Sequence, residues 1–150
     1  LRRGRHLGLS LMTVPAEYAH ADRDFERFMT ALLDLTTLET RHRAYAVTRA
    51  VLHVFRAHLS VHDALVFADA LPAVLRAIFV ENWRPPAEVP PFPDRAALAR
   101  EVRANRRDHN LADDDSIRLV ARALRASLDQ ITLDRALSRL PHQARDYWAA

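Results

Sequence analysis

Arg76 and Arg145 stand at the same place in two copies of one pattern, Leu71-Pro72-x-x-x-Arg76-x-x-Phe79 and Leu140-Pro141-x-x-x-Arg145-x-x-Trp148. A guanidinium group matches a carboxylate or phosphate with two parallel hydrogen bonds. The repeated pair could therefore form two related sites for an anion or for a partner's carboxylate. The competing reading is an ion pair with a neighbouring helix, which a duplicated segment keeps as readily as it keeps a site. Trp83 and Trp148, with Phe79 and Tyr147, put large aromatic surfaces at the ends of the same two segments. They are candidate anchors for a partner, although aromatics at helical spacing usually belong to a core.

Arginine stripes are a second candidate. Arg100, Arg103 and Arg107 share one helical face, and Arg118, Arg122 and Arg125 share another. A groove between them could hold phosphates. Against this, Asp114, Asp115 and Asp129 lie three or four residues from these arginines, where ordinary helix-surface pairs form. No aromatic ladder interleaves the arginines as single-strand binding requires. His53, His58 and His62 raise a metal site, but Ser60 breaks the helix between the last two and no acidic ligand lies at a familiar offset. Asp113-Asp114-Asp115 lacks the glycine and distal glutamate of a calcium loop. Asn105 could line a small polar pocket, but fraying of the helix end near Asp108-His109-Asn110 is the stronger reading. No serine has a believable catalytic partner. These patterns lead us to expect no catalytic residues, no metal and no cofactor.

Composition narrows the chemistry further. The 150 residues contain no cysteine, which removes disulfides, thiolate metal sites and cysteine nucleophiles and suits a reducing cytoplasm. Gly4 and Gly8 are the only glycines, so phosphate-cradling loops and dinucleotide fingerprints are absent. All 22 basic residues are arginine, so there is no Schiff-base lysine. The net charge of +3 resides in Arg2, Arg3 and Arg5, because the remaining 19 arginines meet 19 acids. A nucleic-acid module concentrates basic charge in its folded part, and this chain does not. Residues 1–11 hold both glycines and no acid, and we expect Met12 to be the true start. The alternative is a signal peptide, but its apolar run from Leu7 to Met12 is too short. No stretch of about eighteen apolar residues predicts a membrane span.

The elements that would position these residues are all helical. Phe25, Phe28, Met29, Leu32 and Leu33 form one apolar stripe at helical spacing. Thr36-Thr37-Leu38-Glu39 has the capping-box pattern and predicts a buried, central helix to about His58. Ser60 with Asp63 marks the next start, and Leu71-Pro72 the one after it, ending near Trp83. Five of the eight prolines fall in residues 84–93, a stiff linker that no helix crosses. Asp94, then Asp113 to Ser116, then Thr132 and then Leu140-Pro141 predict four further helix starts. No segment alternates with period two, so no sheet is expected.

The two Leu-Pro segments, with Asp22-Arg23 matching Asp94-Arg95 and Leu59-Ser60 matching Ile131-Thr132, indicate an internal repeat. The expected fold is all-α, two tandem diverged four-helix units packed as one helical bundle. Residues 1–20 form an N-terminal extension expected to be disordered, 21–83 the first repeat, 84–93 the linker and 94–150 the second repeat. The segment Leu71-Pro-Ala-Val-Leu-Arg-Ala-Ile-Phe-Val-Glu-Asn-Trp-Arg-Pro85 resembles the hallmark of the bacterial DUF2267 family, and Arg145-Asp-Tyr-Trp148 fits that family's C-terminal repeat. The resemblance covers roughly residues 17–149. It implies a small bacterial helical protein, sometimes fused to other modules, with no established reaction and no catalytic residues to carry over. The resulting expectation is a cytoplasmic, non-enzymatic interaction or self-association module, with a protein partner or a second copy as ligand. Nucleic acid is the disfavoured partner and no membrane is involved. The binding candidates are Arg76, Arg145, Trp83 and Trp148. The alternatives are nucleic-acid binding through Arg100, Arg103, Arg107, Arg118 and Arg122, and a small-ligand or enzyme pocket between the repeats.

Overall fold

In the computed structural model, residues 14–36, 40–105 and 115–149 are described. These residues form nine helices and no strand: α1 (Ala16–Ala19), α2 (Ala21–Leu35), α3 (Arg41–Ala57), α4 (Val61–Asp69), α5 (Ala73–Val80), α6 (Arg95–Asn105), α7 (Ser116–Ser127), α8 (Gln130–Leu137) and α9 (His142–Tyr147). None of them is long and apolar enough to cross a membrane.

Local chemistry explains most of the boundaries. Ser60 Oγ accepts from the Asp63 amide at 3.1 Å and opens α4. Asp94 Oδ1 accepts from the Ala97 amide at 2.8 Å and opens α6. Pro72 and Pro141 sit at the N-cap positions of α5 and α9, where a missing N–H costs nothing. Two predicted starts move. Thr36 is the C-cap of α2, and the cap of α3 is Thr40, whose side chain accepts from the Arg43 amide; Thr37 to Glu39 lie outside the described residues. Thr132 does not open α8. Asp129 does, accepting from the Ile131 amide and the Thr132 hydroxyl. The Thr132 bond is the main reason the Asp129 carboxyl sits below the usual carboxylate range. Asp115 holds the N-cap position of α7 without a side-chain cap bond, and Asp113 and Asp114 lie outside the described residues.

Within the expected N-terminal extension, residues 14–20 are described and Ala16–Ala19 form α1. Tyr18 and Ala19 both donate to the Pro15 carbonyl, closing the single turn of α1, and Glu17 reaches Arg76 at 3.4 Å. Residues 1–13 lie outside the description.

One core runs through both halves of the chain. The helix α3 is its centre, buried along Ala44, Val47, Val51, Leu52 and Phe55 and touching α2, α5, α6 and α7. Thr48 is buried there without penalty because its hydroxyl donates to the Ala44 carbonyl at 2.8 Å. The helix α2 packs against α7, and α4 against α8. The proline segment is more than a spacer: Phe92 inserts beside Phe55, with ring centroids 6.0 Å apart. His58 ties the same segment down. Its Nδ1 faces the Pro90 and Pro91 carbonyls at 3.2 and 3.1 Å, and its Nε2 lies 2.9 Å from Glu101 of α6.

Candidate functional site

The end of α5 builds the site. The chain leaves the helix at Glu81 and turns at Asn82, whose φ of 50° is the left-handed conformation that asparagine tolerates. That turn swings Trp83 back toward the end of α3. Arg56, one residue before the end of α3, donates through Nη1 to the Phe79 carbonyl at 2.8 Å and to the Glu81 carbonyl at 2.7 Å. These are C-terminal carbonyls of α5 with no helical donor, and a cation is the favoured partner there. The same guanidinium lies 5.9 Å from the centre of the Trp83 ring, within cation–π range.

Trp83 is thereby held partly buried, packed against the core, where it lines an open groove of about 820 Å³. Pro86, Glu88, Val89, Pro90 and Pro91 of the proline segment and Asn105 of α6 also line it. Among the described residues, Arg56, Arg84 and Glu88 are the charged groups of the lining, two positive and one negative. Asn82 and Asn105 supply amides.

His53 forms part of the floor and is committed: its Nε2 donates to the Ile78 carbonyl at 2.7 Å, which makes the neutral ring an Nε2–H tautomer. Burial pushes its pKa below the ordinary value of 6.5; the Ile78 bond opposes this, and the charges of Arg56 and Arg49 add to it. Burial also draws the Arg56 guanidinium down from its usual value, with Arg49 contributing. The Glu81 carboxyl is held below its usual range chiefly by the Arg49 hydrogen bond at 2.8 Å.

A pH dependence follows from His53. In the folded chain its pKa lies below 6.5, so the unfolded chain takes the proton first. The contribution of the neutral ring is fully present above 6.5 and is lost as the pH falls through the window between 6.5 and the folded value. Urea midpoints measured from about pH 7.5 down to about pH 5 are expected to fall more steeply for wild type than for His53→Gln, which keeps a donor for Ile78 but does not titrate. Parallel curves would show that His53 does not drive the acid loss.

The structure separates the binding candidates. Trp83 lines the groove. Trp148 does not: it is 1 % exposed, stacked on Phe67 at 5.3 Å, and its Nε1 has no hydrogen-bond partner among the described residues. It is core, as are Phe79 and Tyr147, and cannot meet a partner without unfolding. Arg76 is structural: Nε donates to the Ala68 carbonyl at 3.0 Å and Nη2 to the Leu71 carbonyl at 2.9 Å, closing the end of α4. Arg145 is exposed and makes no polar side-chain contact among the described residues. The two arginines thus play different parts despite their shared pattern. On the stripes, Arg100, Arg118 and Arg122 are exposed and Arg103 is half-buried; Arg107 lies outside the described residues. Arg125 leaves its stripe to donate to the Trp148 carbonyl and to pair with Asp134. Of the histidines, His53 and His58 are buried and hydrogen-bonded and His62 is exposed, and among the described residues no three potential ligands gather for a metal.

A family model described as "Uncharacterized conserved protein (DUF2267)" matches residues 25–147. The chain belongs to the DUF2267 family. The match spans α2 to α9, so the Trp83 groove lies wholly within the DUF2267 region. No curated protein matches the chain. Sequence reasoning missed Arg56, Asn82, Arg84 and the proline-segment wall of this DUF2267 groove. The asparagine directly after an apolar helix was a readable signal for the left-handed turn; nothing local marks Arg56.

Proposed function

We propose that this protein is a non-enzymatic interaction module of the cytoplasm that docks an extended, acidic segment of a protein partner in the Trp83 groove. The observation that carries the reading is Trp83 itself, a partly buried indole braced by Arg56 in the lining of a groove. Most interface energy resides in such aromatic and arginine anchors. Asn82 and Asn105 offer amides for a partner's backbone, Val89 and the prolines offer apolar contact, and the surplus of Arg56 and Arg84 over Glu88 favours an acidic ligand. The groove's chemistry-bearing groups serve the fold, since His53 is bonded to Ile78 and Arg56 to Phe79 and Glu81, which favours docking over a small-molecule reaction.

The same proposal includes a bacterial origin and a duplicated architecture, two units of four helices joined by the proline segment. Two arginine contacts support it. Arg56 reaches the Phe79 carbonyl and Arg125 reaches the Trp148 carbonyl, each across 23 residues. The pairing of helices is also reciprocal: α2 meets α7 as α6 meets α3, and α4 meets α8. This is the pattern of two like units related by a local twofold.

The test uses fluorescence. Trp148→Phe keeps the core ring and leaves Trp83 as the only tryptophan. Titration with acidic peptides carrying one large apolar residue is expected to shift the Trp83 emission. Basic peptides of equal length should not. Trp83→Ala, followed by anisotropy of a labelled peptide, is expected to weaken binding by about tenfold or more. Binding unaffected by Trp83→Ala would overturn the reading. Low-salt binding of nucleic acid that Arg100, Arg118 and Arg122 control would transfer the function to the arginine stripes.

A further inference from the structure

The outward face of α4 and α8 serves neither the core nor the groove. The helix α4 sets Val61, Leu65 and Asp69 in one line at four-residue spacing, with Val61 47 % and Leu65 55 % exposed. The helix α8 repeats the spacing with Ile131, 68 % exposed, then Arg135 and, just past the helix end, Arg139. The two helices pack side by side. A depression of about 190 Å³ between them is bordered by Asp69, Arg135 and Arg139 and lined by Val66, Ala70 and Ala136.

Charge is divided between the two helices. The acids of α4 are Asp63 and Asp69, and α4 carries no arginine. On the α8 side Asp134 is paired with Arg125 and Asp129 caps the helix, which leaves Arg135 and Arg139 as the available charges. Among the described residues none of Asp69, Arg135 and Arg139 has an ion pair.

We infer that this face binds a second copy of the chain about a twofold axis running between α4 and α8. That axis lays α4 of one copy on α8 of the other and does so twice, as an isologous interface must. Asp69 of each copy then meets Arg135 and Arg139 of the other, and Val61, Leu65 and Ile131 leave water. The perpendicular axis would set α4 on α4 and α8 on α8, opposing like charges, so electrostatics selects the first arrangement. The face consists of two short helices, which suits a dimer with Kd of about 10–100 µM. This inference does not depend on the groove.

Sedimentation of the full chain from about 1 µM to about 1 mM tests it. A reversible monomer–dimer equilibrium is expected. Leu65→Asp and Ile131→Asp, both at exposed positions, should each abolish it while far-UV circular dichroism stays unchanged. Asp69→Arg should weaken it by about tenfold. The triple variant Asp69→Arg, Arg135→Asp, Arg139→Asp reverses these three charges, keeps their complementarity, and should restore it. A wild-type chain that stays monomeric throughout overturns the inference, as does a dimer indifferent to Leu65→Asp. A folded triple variant that fails to dimerise, or a foreign protein that occupies the face while the chain remains monomeric, overturns it as well.

Discussion

Phe55→Ala is expected to remove about 3–5 kcal/mol of stability, the range for deleting a fully buried phenylalanine. Phe55 has no exposed surface. Its ring centroid lies 4.7 Å from Phe67, 5.0 Å from Tyr147, 5.3 Å from Trp148, 6.0 Å from Phe92 and 6.5 Å from Phe79. Those five rings come from α4, the end of α9, the proline segment and α5, so one cavity would face both halves of the chain. A total stability of about 5–15 kcal/mol leaves such a variant close to unfolding. The milder Phe55→Leu, costing about 1.5 kcal/mol, keeps the measurement possible if the alanine variant does not fold. Tryptophan fluorescence and far-UV circular dichroism should report one shared urea transition in both wild type and variant, displaced in the variant. Loss of one half with the other melting later would mean that the halves hold separate cores.

Burial of Tyr147 supports the same cooperativity. Its hydroxyl donates to the Val51 carbonyl at 2.7 Å across 96 residues, and burial pushes its pKa well above the ordinary phenol value. The last helix is therefore pinned to the middle of α3 by a donor that stays protonated. Arg95 adds to the closure by donating to the Asp146 and Tyr147 carbonyls at 3.1 and 3.2 Å.

Much of this was legible in the residues, and the misreadings share a cause. Ser60, Asp94 and the two Leu-Pro starts are local signals, and local physics decides them. Thr36 and Thr40 both look like caps from sequence. The choice between them depends on where α2 runs out of core contacts, which is a tertiary fact. Matching Leu59-Ser60 to Ile131-Thr132 sets the two halves at an offset of 72 residues and makes Thr132 the expected start. The Leu-Pro segments themselves are offset by 69, and that register pairs Ser60 with Asp129. Trp148 was offered as a surface anchor although the motif already equated it with Phe79. A residue that replaces a core phenylalanine inherits the core. Trp83 lies beyond the end of α5, outside the repeated Leu-Pro pattern, so that pattern does not assign it to the core. The groove was illegible because its lining is drawn from three separate stretches of the chain, in α3, after α5 and at the end of α6, which meet only when Phe92 and His58 fold the proline segment back onto α3 and α6.

Arg56→Met and Arg125→Met are each expected to cost about 1.5–3 kcal/mol, the range for losing a hydrogen bond from a charged donor. Methionine keeps the apolar stem, so the loss reports the guanidinium rather than packing. Arg56 serves two carbonyls, those of Phe79 and Glu81, and should fall at the upper end. Arg125 serves the Trp148 carbonyl at 2.9 Å; its pair with Asp134, which is 60 % exposed, adds little. The two effects should also differ in kind. Arg56→Met removes the cation from the face of Trp83 and should weaken peptide docking, whereas Arg125→Met should leave docking intact at temperatures where the protein is folded. If Arg125→Met costs under about 0.5 kcal/mol, the arginine is not the group that closes α9. The structural equivalence of the two arginines, and with it the strongest support for the duplicated unit, would then fail while the groove reading stood. Conversely, two comparable stability losses with only Arg56 affecting docking would mean that one inherited cap has been kept twice for folding and used once for binding.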